Sequence, residues 1–408
     1  MNKFRVIVFL SVLSIVFVLA GCIENPSDEA SGEGTEKETE TPSTEGGEKL
    51  VNIGFSGPLS GPAAYYGERS FSGLEMAAEE INKNGGFEVD GQTYKINLVS
   101  LDDKYLPNEA AANAKRLVQE HQTPIVYTPH SGGVKAMQVF NEQEKFLIGA
   151  YTSEPDVTEA GNSLTVRIPP RYDNYIEPFT NYTMERFGKK LAALPTSTQY
   201  GKDWSETLLP YWKEQGGEVI YDSSIDFSKE TDFFTLVTNA LKEDPDVLFI
   251  GGPSEPTAKL VKQARELGFE GGFIIMDQAK LDEMKKVTKA DSYELFEGSI
   301  GVMPLVNADY PGTPQFVENY QEKYENDPGS EAGFHYISLY VFVEAMKAAG
   351  TVDDSEAIRA HIQDGLDQLP KEKQVYVIDE VGKDGGFKAD RSVAAIEEGE
   401  IVPIKVGE

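Results

Sequence analysis

The chain has 408 residues, 40% of them hydrophobic, a formal net charge of −31 and one cysteine, Cys22. So large a surplus of acid argues against nucleic acid, whose phosphates demand basic contacts, and against docking on anionic lipid. A single cysteine rules out an intramolecular disulfide, and none of the four histidines stands at metal-ligand spacing from another His or Cys, so neither metal nor cofactor is expected.

At the N-terminus, Lys3 and Arg5 precede the 14-residue apolar run Val6 to Leu19, which ends in Leu19-Ala20-Gly21-Cys22. A basic head, an apolar stretch and small residues, in that order, predict a secretory signal over residues 1–21. Its end resembles the lipobox of bacterial and archaeal lipoproteins, in which the cysteine is acylated and becomes the new N-terminus. Cys22 is therefore the expected lipidation site. That lipid is the one expected membrane attachment, holding the rest of the chain on the extracytoplasmic face. The alternative is an uncleaved anchor, for which the run is short against the roughly 20 residues that span a bilayer. Residues 22–48 read as a tether, since Ile23 to Glu48 carries eight Glu, one Asp and one Lys among Ser, Thr, Gly and Pro. Such a segment has too little to bury to offset its ordering entropy, and disorder is expected. Of the total charge the leader holds +2 and the tether −8, which leaves −25 on residues 49–408. A folded part of that length exceeds one typical core and predicts two lobes.

The folded part opens on a strand, Val51-Asn52-Ile53-Gly54-Phe55, and the loop Ser56-Gly57-Pro58-Leu59-Ser60-Gly61-Pro62. Phe71, Leu74, Ala77, Ala78 and Ile81 recur at helical spacing, and Gly85-Gly86 stops that helix. Strands are predicted at Tyr94 to Ser100, Pro124 to Tyr127 and Phe146 to Ala150. Helices fall between them, the first capped by Asn108 and the second starting near Val134. After Arg167-Ile168-Pro169-Pro170 the alternation repeats. Strands are expected at Lys190 to Leu194, Glu218 to Tyr221, Asp246 to Ile250 and Phe273 to Met276, each preceded or followed by a helix. Helices at about Thr313 to Tyr324, Ala332 to Ala349 and Ser355 to Leu366 are expected to return to the first lobe. Val375 to Ile378 and Ile401 to Ile404 close the chain as strands. Alternating strands and helices of this length define an α/β protein of two doubly wound parallel-sheet lobes. The expected division is 49–170 plus 299–372 for the N-terminal lobe and 171–298 plus 373–408 for the C-terminal lobe.

Signatures of catalysis are absent. There is no Gly-x-Ser-x-Gly elbow, phosphate loop, His-Glu-x-x-His or calcium loop. Asp102-Asp103 resembles a carboxylate pair, but neighbours on a strand point to opposite sides, and solvated acids near a helix start are the plainer expectation. No enzyme is predicted.

Ile53-Gly54-Phe55-Ser56-Gly57-Pro58-Leu59-Ser60-Gly61-Pro62, followed by Tyr66-Gly67-Glu68 and Gly73, resembles the opening of the type I solute-binding proteins. Within these it is similar to the branched-chain amino acid and amide receptors of ABC importers. The likeness runs on through Glu79-Glu80-Ile81-Asn82, Asp102-Asp103, Gln199-Tyr200-Gly201, Gly251-Gly252 and Glu297-Gly298, and so covers nearly all of residues 50–390. It implies two lobes on a hinge of crossing strands, near Arg167 to Arg171 and Gly298 to Met303, that close on one small ligand. It also implies a monomer whose partners are a membrane permease and cytoplasmic ATPases. A surface sensor that signals through a chemoreceptor or kinase is the alternative use of the same hinge.

The resemblance also nominates contacts. The loop Pro129-His130-Ser131-Gly132-Gly133 enters a helix, so its N–H groups and the Ser131 hydroxyl are expected to hold a ligand carboxylate. The family often has a second hydroxyl where this chain has Gly132; a plain tight turn is the alternative there. Tyr151, Thr152 and Ser153 fall where family members touch the ligand, with Tyr151 bulkier than usual. Tyr200 aligns with an aromatic that closes over the ligand, and Asp277 with the acid that pairs with its ammonium, although Gln278 is a competing contact. Tyr66 is the expected wall of the side-chain pocket, with Tyr65 as the alternative. An acid at position 277 favours an amine-bearing ligand over a simple anion.

Overall fold

The computed structural model describes residues 48–404 except Ser228, Asp390 and Arg391; the signal, Cys22 and the tether up to residue 47 lie outside the described residues. Among the described residues no helix is long and apolar enough to cross a membrane.

The first sheet contains β1 (Lys49–Gly57), β2 (Phe87–Val89), β3 (Gln92–Asp102), β4 (Ile125–Thr128), β5 (Leu147–Ala150) and β6 (Thr165–Arg167), in the order β2-β3-β1-β4-β5-β6. Only the short β2 runs antiparallel. β4 and β5 are buried at every position, because helices cover both faces of a parallel sheet and neither face is left to be polar. The second sheet holds β7 (Lys190–Pro195), β8 (Glu218–Asp222), β9 (Val247–Gly251), β10 (Gly272–Ile275) and β11 (Ser299–Val302). After the small antiparallel pair β12 (Ile378–Val381) and β13 (Phe387–Ala389) come β14 (Val393–Glu397) and β15 (Glu400–Ile404). The second sheet reads β15-β14-β11-β10-β9-β7-β8, with β14 and β15 added antiparallel at its edge. In both lobes the strand that comes first in sequence lies inside the sheet. The order reverses beside it, at β1/β4 and at β7/β9, and crevices form there at the carboxyl ends of the strands.

The chain changes lobe after Ile168, after Met303 and after Ala389. The division expected from sequence is therefore corrected at two places. Ser299–Val302 pairs with β10 in the second sheet, whereas Val375, Tyr376, Ile378 and Phe387 pack into the first hydrophobic core. The local pattern could not show this, because an apolar strand satisfies either core equally well. The helix Ser330–Ala349 is buried along most of its length at the centre of the first core, and the helix Ala64–Lys83 packs beside it. Asn108 is not a cap: the helix begins at Pro107, where a missing N–H costs nothing, and Leu106 precedes it.

Candidate functional site

At the facing carboxyl ends of the strands lies a cleft walled by both lobes. Tyr66, Ser131, Tyr151, Thr152, Ser153, Tyr200 and Asp277 all border it, together with Tyr105, His130, Pro169, Gln278 and Lys280. Each follows from the turn that carries it. Gly67 allows the first helix to start against the loop after β1, since a Cβ there would sit 1.9 Å from the Pro58 carbonyl oxygen. That contact fixes Tyr66 at the cleft. Tyr65 faces elsewhere and its hydroxyl lies 2.7 Å from Arg69 Nη1, so Tyr66 is the one of the pair that borders the cleft.

After β4 the chain turns through His130 into the helix Ser131–Gln138. His130 Nδ1 accepts the Gly133 N–H at 2.9 Å, which assigns the single ring N–H proton to Nε2, 3.0 Å from Asp103 Oδ2. The imidazole thus caps the helix itself and takes one of the N–H groups expected for a ligand carboxylate; those of Ser131 and Gly132 stay at the helix start. Gly132 does not border the cleft: a Cβ built there would press on Pro107 Cγ at 2.8 Å, so the residue serves close packing between two helix starts. The Asp102-Asp103 pair divides as adjacent strand residues should. Asp102 accepts from the Leu59 and Lys104 N–H groups at 2.9 Å and holds the loop after β1. Asp103 is fully buried rather than solvated, bonded to His130, Ser56 and the Tyr105 N–H.

Past β5, Tyr151 is bonded through its hydroxyl to Ser330 Oγ at 3.1 Å, with its ring 6.2 Å from that of Tyr66. Thr152 and Ser153 follow, both largely buried. On the other wall, Thr198 caps the helix Gln199–Glu214 that carries Tyr200. The Tyr200 hydroxyl donates to Asp277 Oδ1, and Trp204 Nε1 donates to the same oxygen at 3.1 Å. No protein donor reaches Oδ2 among the described residues. Gln278 is engaged otherwise: its N–H donates to Tyr200 Oη and its amide nitrogen to Tyr105 Oη, both at 3.2 Å. The second of these bonds joins the lobes.

Two groups of charges also cross between lobes. Arg69 Nε lies 2.7 Å from Glu331 Oε1 in its own lobe and 3.1 Å from Glu283 Oε1 in the other. Burial, then Glu331, push the Glu283 carboxyl up to about 8, and burial takes Asp282 to about 6 against the pull of Arg69. Burial also works to raise Glu331, but Arg69 and Lys280 outweigh it and hold that carboxyl low. The second group centres on Lys135, 2.9 Å from both Glu154 and Asp156 and 4.0 Å from Asp203 of the opposite lobe. Oxygens of these three acids come within 4.8 Å of one another. The Lys135 ammonium lies among them and supplies the positive charge.

The chain belongs to the periplasmic binding protein family, whose model matches residues 50–387. Among relatives, an amino acid binding protein of Pseudomonas aeruginosa is 29% identical over 315 residues, 75% of this chain and 81% of that protein. The Leu/Ile/Val-binding protein of Escherichia coli K12 is 23% identical over 291 residues, covering 71% and 77% of the two chains. In fold, the chain is similar to the branched-chain amino acid transporter substrate-binding protein LivJ of Streptococcus pneumoniae, solved with isoleucine. There the TM-score is 0.74 at 21% identity, over 87% of this chain and 100% of that one. The two-lobed type I architecture expected from sequence is the one observed, and the relatives are named as amino acid-binding proteins.

Sequence reasoning missed Tyr105 and Lys280. Tyr105 follows Lys104 in a tight left-handed turn directly after β3, with φ of 54° and 64° for the pair. A bulky residue after two acids at a strand end was the available sign. Lys280 left none, because a lysine between a strand and a helix is ordinarily at the surface.

Proposed function

We propose that the protein is the lipid-anchored, extracytoplasmic receptor of an ABC importer. It captures one small amino acid by closing its lobes and delivers it to a membrane permease driven by cytoplasmic ATPases. The observation that carries this reading is Asp277. Tyr200 and Trp204 both donate to Oδ1, which fixes the carboxylate and leaves Oδ2 for a ligand ammonium. Across the cleft, the Ser131 hydroxyl serves the buried Glu154 carboxylate, and the hydroxyls of Thr152 and Ser153 with the N–H groups at the helix start are a neutral donor set suited to a carboxylate. An amino acid presents both groups, and each needs such a partner once water is expelled. Relatives named for Leu, Ile and Val indicate the size class.

Closing is favoured only by contacts better made in the closed form. Asp277 and Tyr200 stand on one lobe and Ser131 to Ser153 on the other, so an amino acid that touches both sets supplies that difference. Anchoring at Cys22 keeps the receptor beside its permease, which supports import over release of a free binder.

The test is mass spectrometry of co-purified small molecules, then calorimetry of stripped protein against an amino acid and amide panel. Asp277→Ala is expected to weaken amino acid binding by roughly 100-fold, the loss of a charge-assisted partner in a closed site. Unchanged affinity in that variant, or tight binding of an anion that has no amine, would overturn the assignment.

A further inference from the structure

The cleft continues into a second compartment that Asp277 also borders, lined further by Tyr151, Met303, Phe334, Tyr376 and Lys280. Most of its lining is aromatic or aliphatic; besides Asp277, whose Oδ2 is left for the α-ammonium, it contains two polar groups that lack full partners. Lys280 is only 6% exposed and borders both compartments. Its Nζ donates to the Asp277 carbonyl oxygen, and among the described residues no carboxylate lies within the 4.0 Å of an ion pair. An ammonium has three N–H groups, so the single carbonyl does not satisfy it. Tyr376 is the second group. Its ring stacks on Phe334 with centroids 3.9 Å apart and planes 3° from parallel, and its buried hydroxyl has no hydrogen-bond partner. Burial pushes that hydroxyl well above its ordinary pKa, so it remains a neutral donor.

A branched-chain side chain placed here would leave a buried ammonium and a buried hydroxyl unpaired, and both penalties oppose closure. A side chain that ends in a carboxylate would pair with both. We infer that Lys280 and Tyr376 select an α-amino acid with an acidic side chain, of the glutamate class, within the size range of the relatives' ligands. Each charged group of the ligand then has a partner: the α-ammonium at Asp277, the α-carboxylate at the neutral donors of Thr152, Ser153 and the helix start, and the side-chain carboxylate at Lys280. The inference rests on the amino acid reading above and assigns the side-chain end of the same site.

A purely structural role for Lys280 is the competitor, because its charge also reaches Glu331. Calorimetry of the stripped full-length protein with L-glutamate, L-glutamine and L-leucine separates the two. L-Glutamate is expected to bind tightest, with L-leucine at least about tenfold weaker. Lys280→Met should reduce glutamate affinity by about 10- to 100-fold and leave leucine equal or improved. Tyr376→Phe, which removes one oxygen and keeps the stack, should reduce glutamate binding by roughly 2- to 10-fold with leucine unchanged. If Lys280→Met does not fold, the wild-type preference and the Tyr376 variant still decide the matter. Leucine bound more tightly than glutamate by the wild type, or equal losses for both ligands in the variants, overturns this inference alone. If none of the three amino acids binds, the amino acid reading fails and takes this one with it.

Discussion

The lobes are joined by two charge clusters that look alike in sequence terms and differ in physics. Each places a cation on the N-terminal lobe against an acid on the other. Arg69 is 6% exposed in its side chain and lies 3.1 Å from Glu283, whereas Lys135 is 36% exposed and lies 4.0 Å from Asp203. In the first cluster, Arg69 is fixed further by Tyr65, Asn326 and the Asp327 carbonyl, the last at 2.6 Å. A planar, pre-organised fork surrounded by protein keeps most of its attraction, while a lysine at the rim shares its charge with water and salt. For the proposed closure, the expectation is that the dry cluster contributes most and the wet one little.

The largest effect should come from Arg69→Met. It removes the guanidinium that faces Glu331 and Glu283 and leaves buried acids behind, a loss of about 3–5 kcal/mol where a buried pair is broken on one side. Denaturant unfolding should show the loss in stability, and scattering should show that ligand no longer compacts the protein. Arg69→Lys should recover only part, since one ammonium cannot serve Tyr65, Glu331 and the Asp327 carbonyl in the same geometry.

Next in size is a pH dependence centred on the dry cluster. Glu283 and Asp282 sit with Arg69, Glu331, Ser254 and Lys280 around them, and burial where the lobes meet raises both carboxyls, Glu283 to about 8 and Asp282 to about 6. A carboxyl raised by closing favours closure fully below its open-state value, because it is already protonated. That contribution fades as the pH climbs and is gone above the closed-state value. Ligand affinity should therefore fall several-fold between pH 6 and pH 8. Calorimetry in buffers of different ionisation enthalpy should register proton uptake on binding. Glu283→Gln should flatten the profile; an unaltered slope would place the titration elsewhere.

These clusters also mark what sequence could and could not convey. Cleft residues such as Ser131, Thr152 and Asp277 were legible because they follow apolar strand runs, and ligands gather at the carboxyl ends of parallel strands. Gly132 misled, since a glycine at a helix start signals either ligand access or tight packing, and only the approach of Pro107 decides. Arg69 and Glu283 are separated by most of two lobes, and no local period links them. Tyr376 reaches the second compartment only because the chain returns to the first core before its last crossing, which an ambiguous strand pattern did not reveal. Lys280 is buried because its N–H bonds Ser254 Oγ at 3.0 Å, a contact between two helix starts.

The smallest expected effect is the sharpest check on the contrast. Asp203→Asn removes the opposite-lobe acid of the wet cluster while Lys135 keeps Glu154 and Asp156 at 2.9 Å. A half-exposed pair at the 4.0 Å limit should contribute no more than about 0.5 kcal/mol, and less as salt rises. Lys135→Ala is a different matter, because it strands Glu154, whose buried carboxyl is already raised to about 7 with the lysine in place. The informative quantity is thus the coupling in a double-mutant cycle rather than either single loss. For Lys135 with Asp203 it should be near zero in ligand affinity, and for Arg69 with Glu283, measured above pH 8 where the acid is ionised, well above 1 kcal/mol by the buried-pair range. Equal couplings would mean that burial does not rank the two contacts, and the distinction between a dry latch and a wet rim would have to be abandoned.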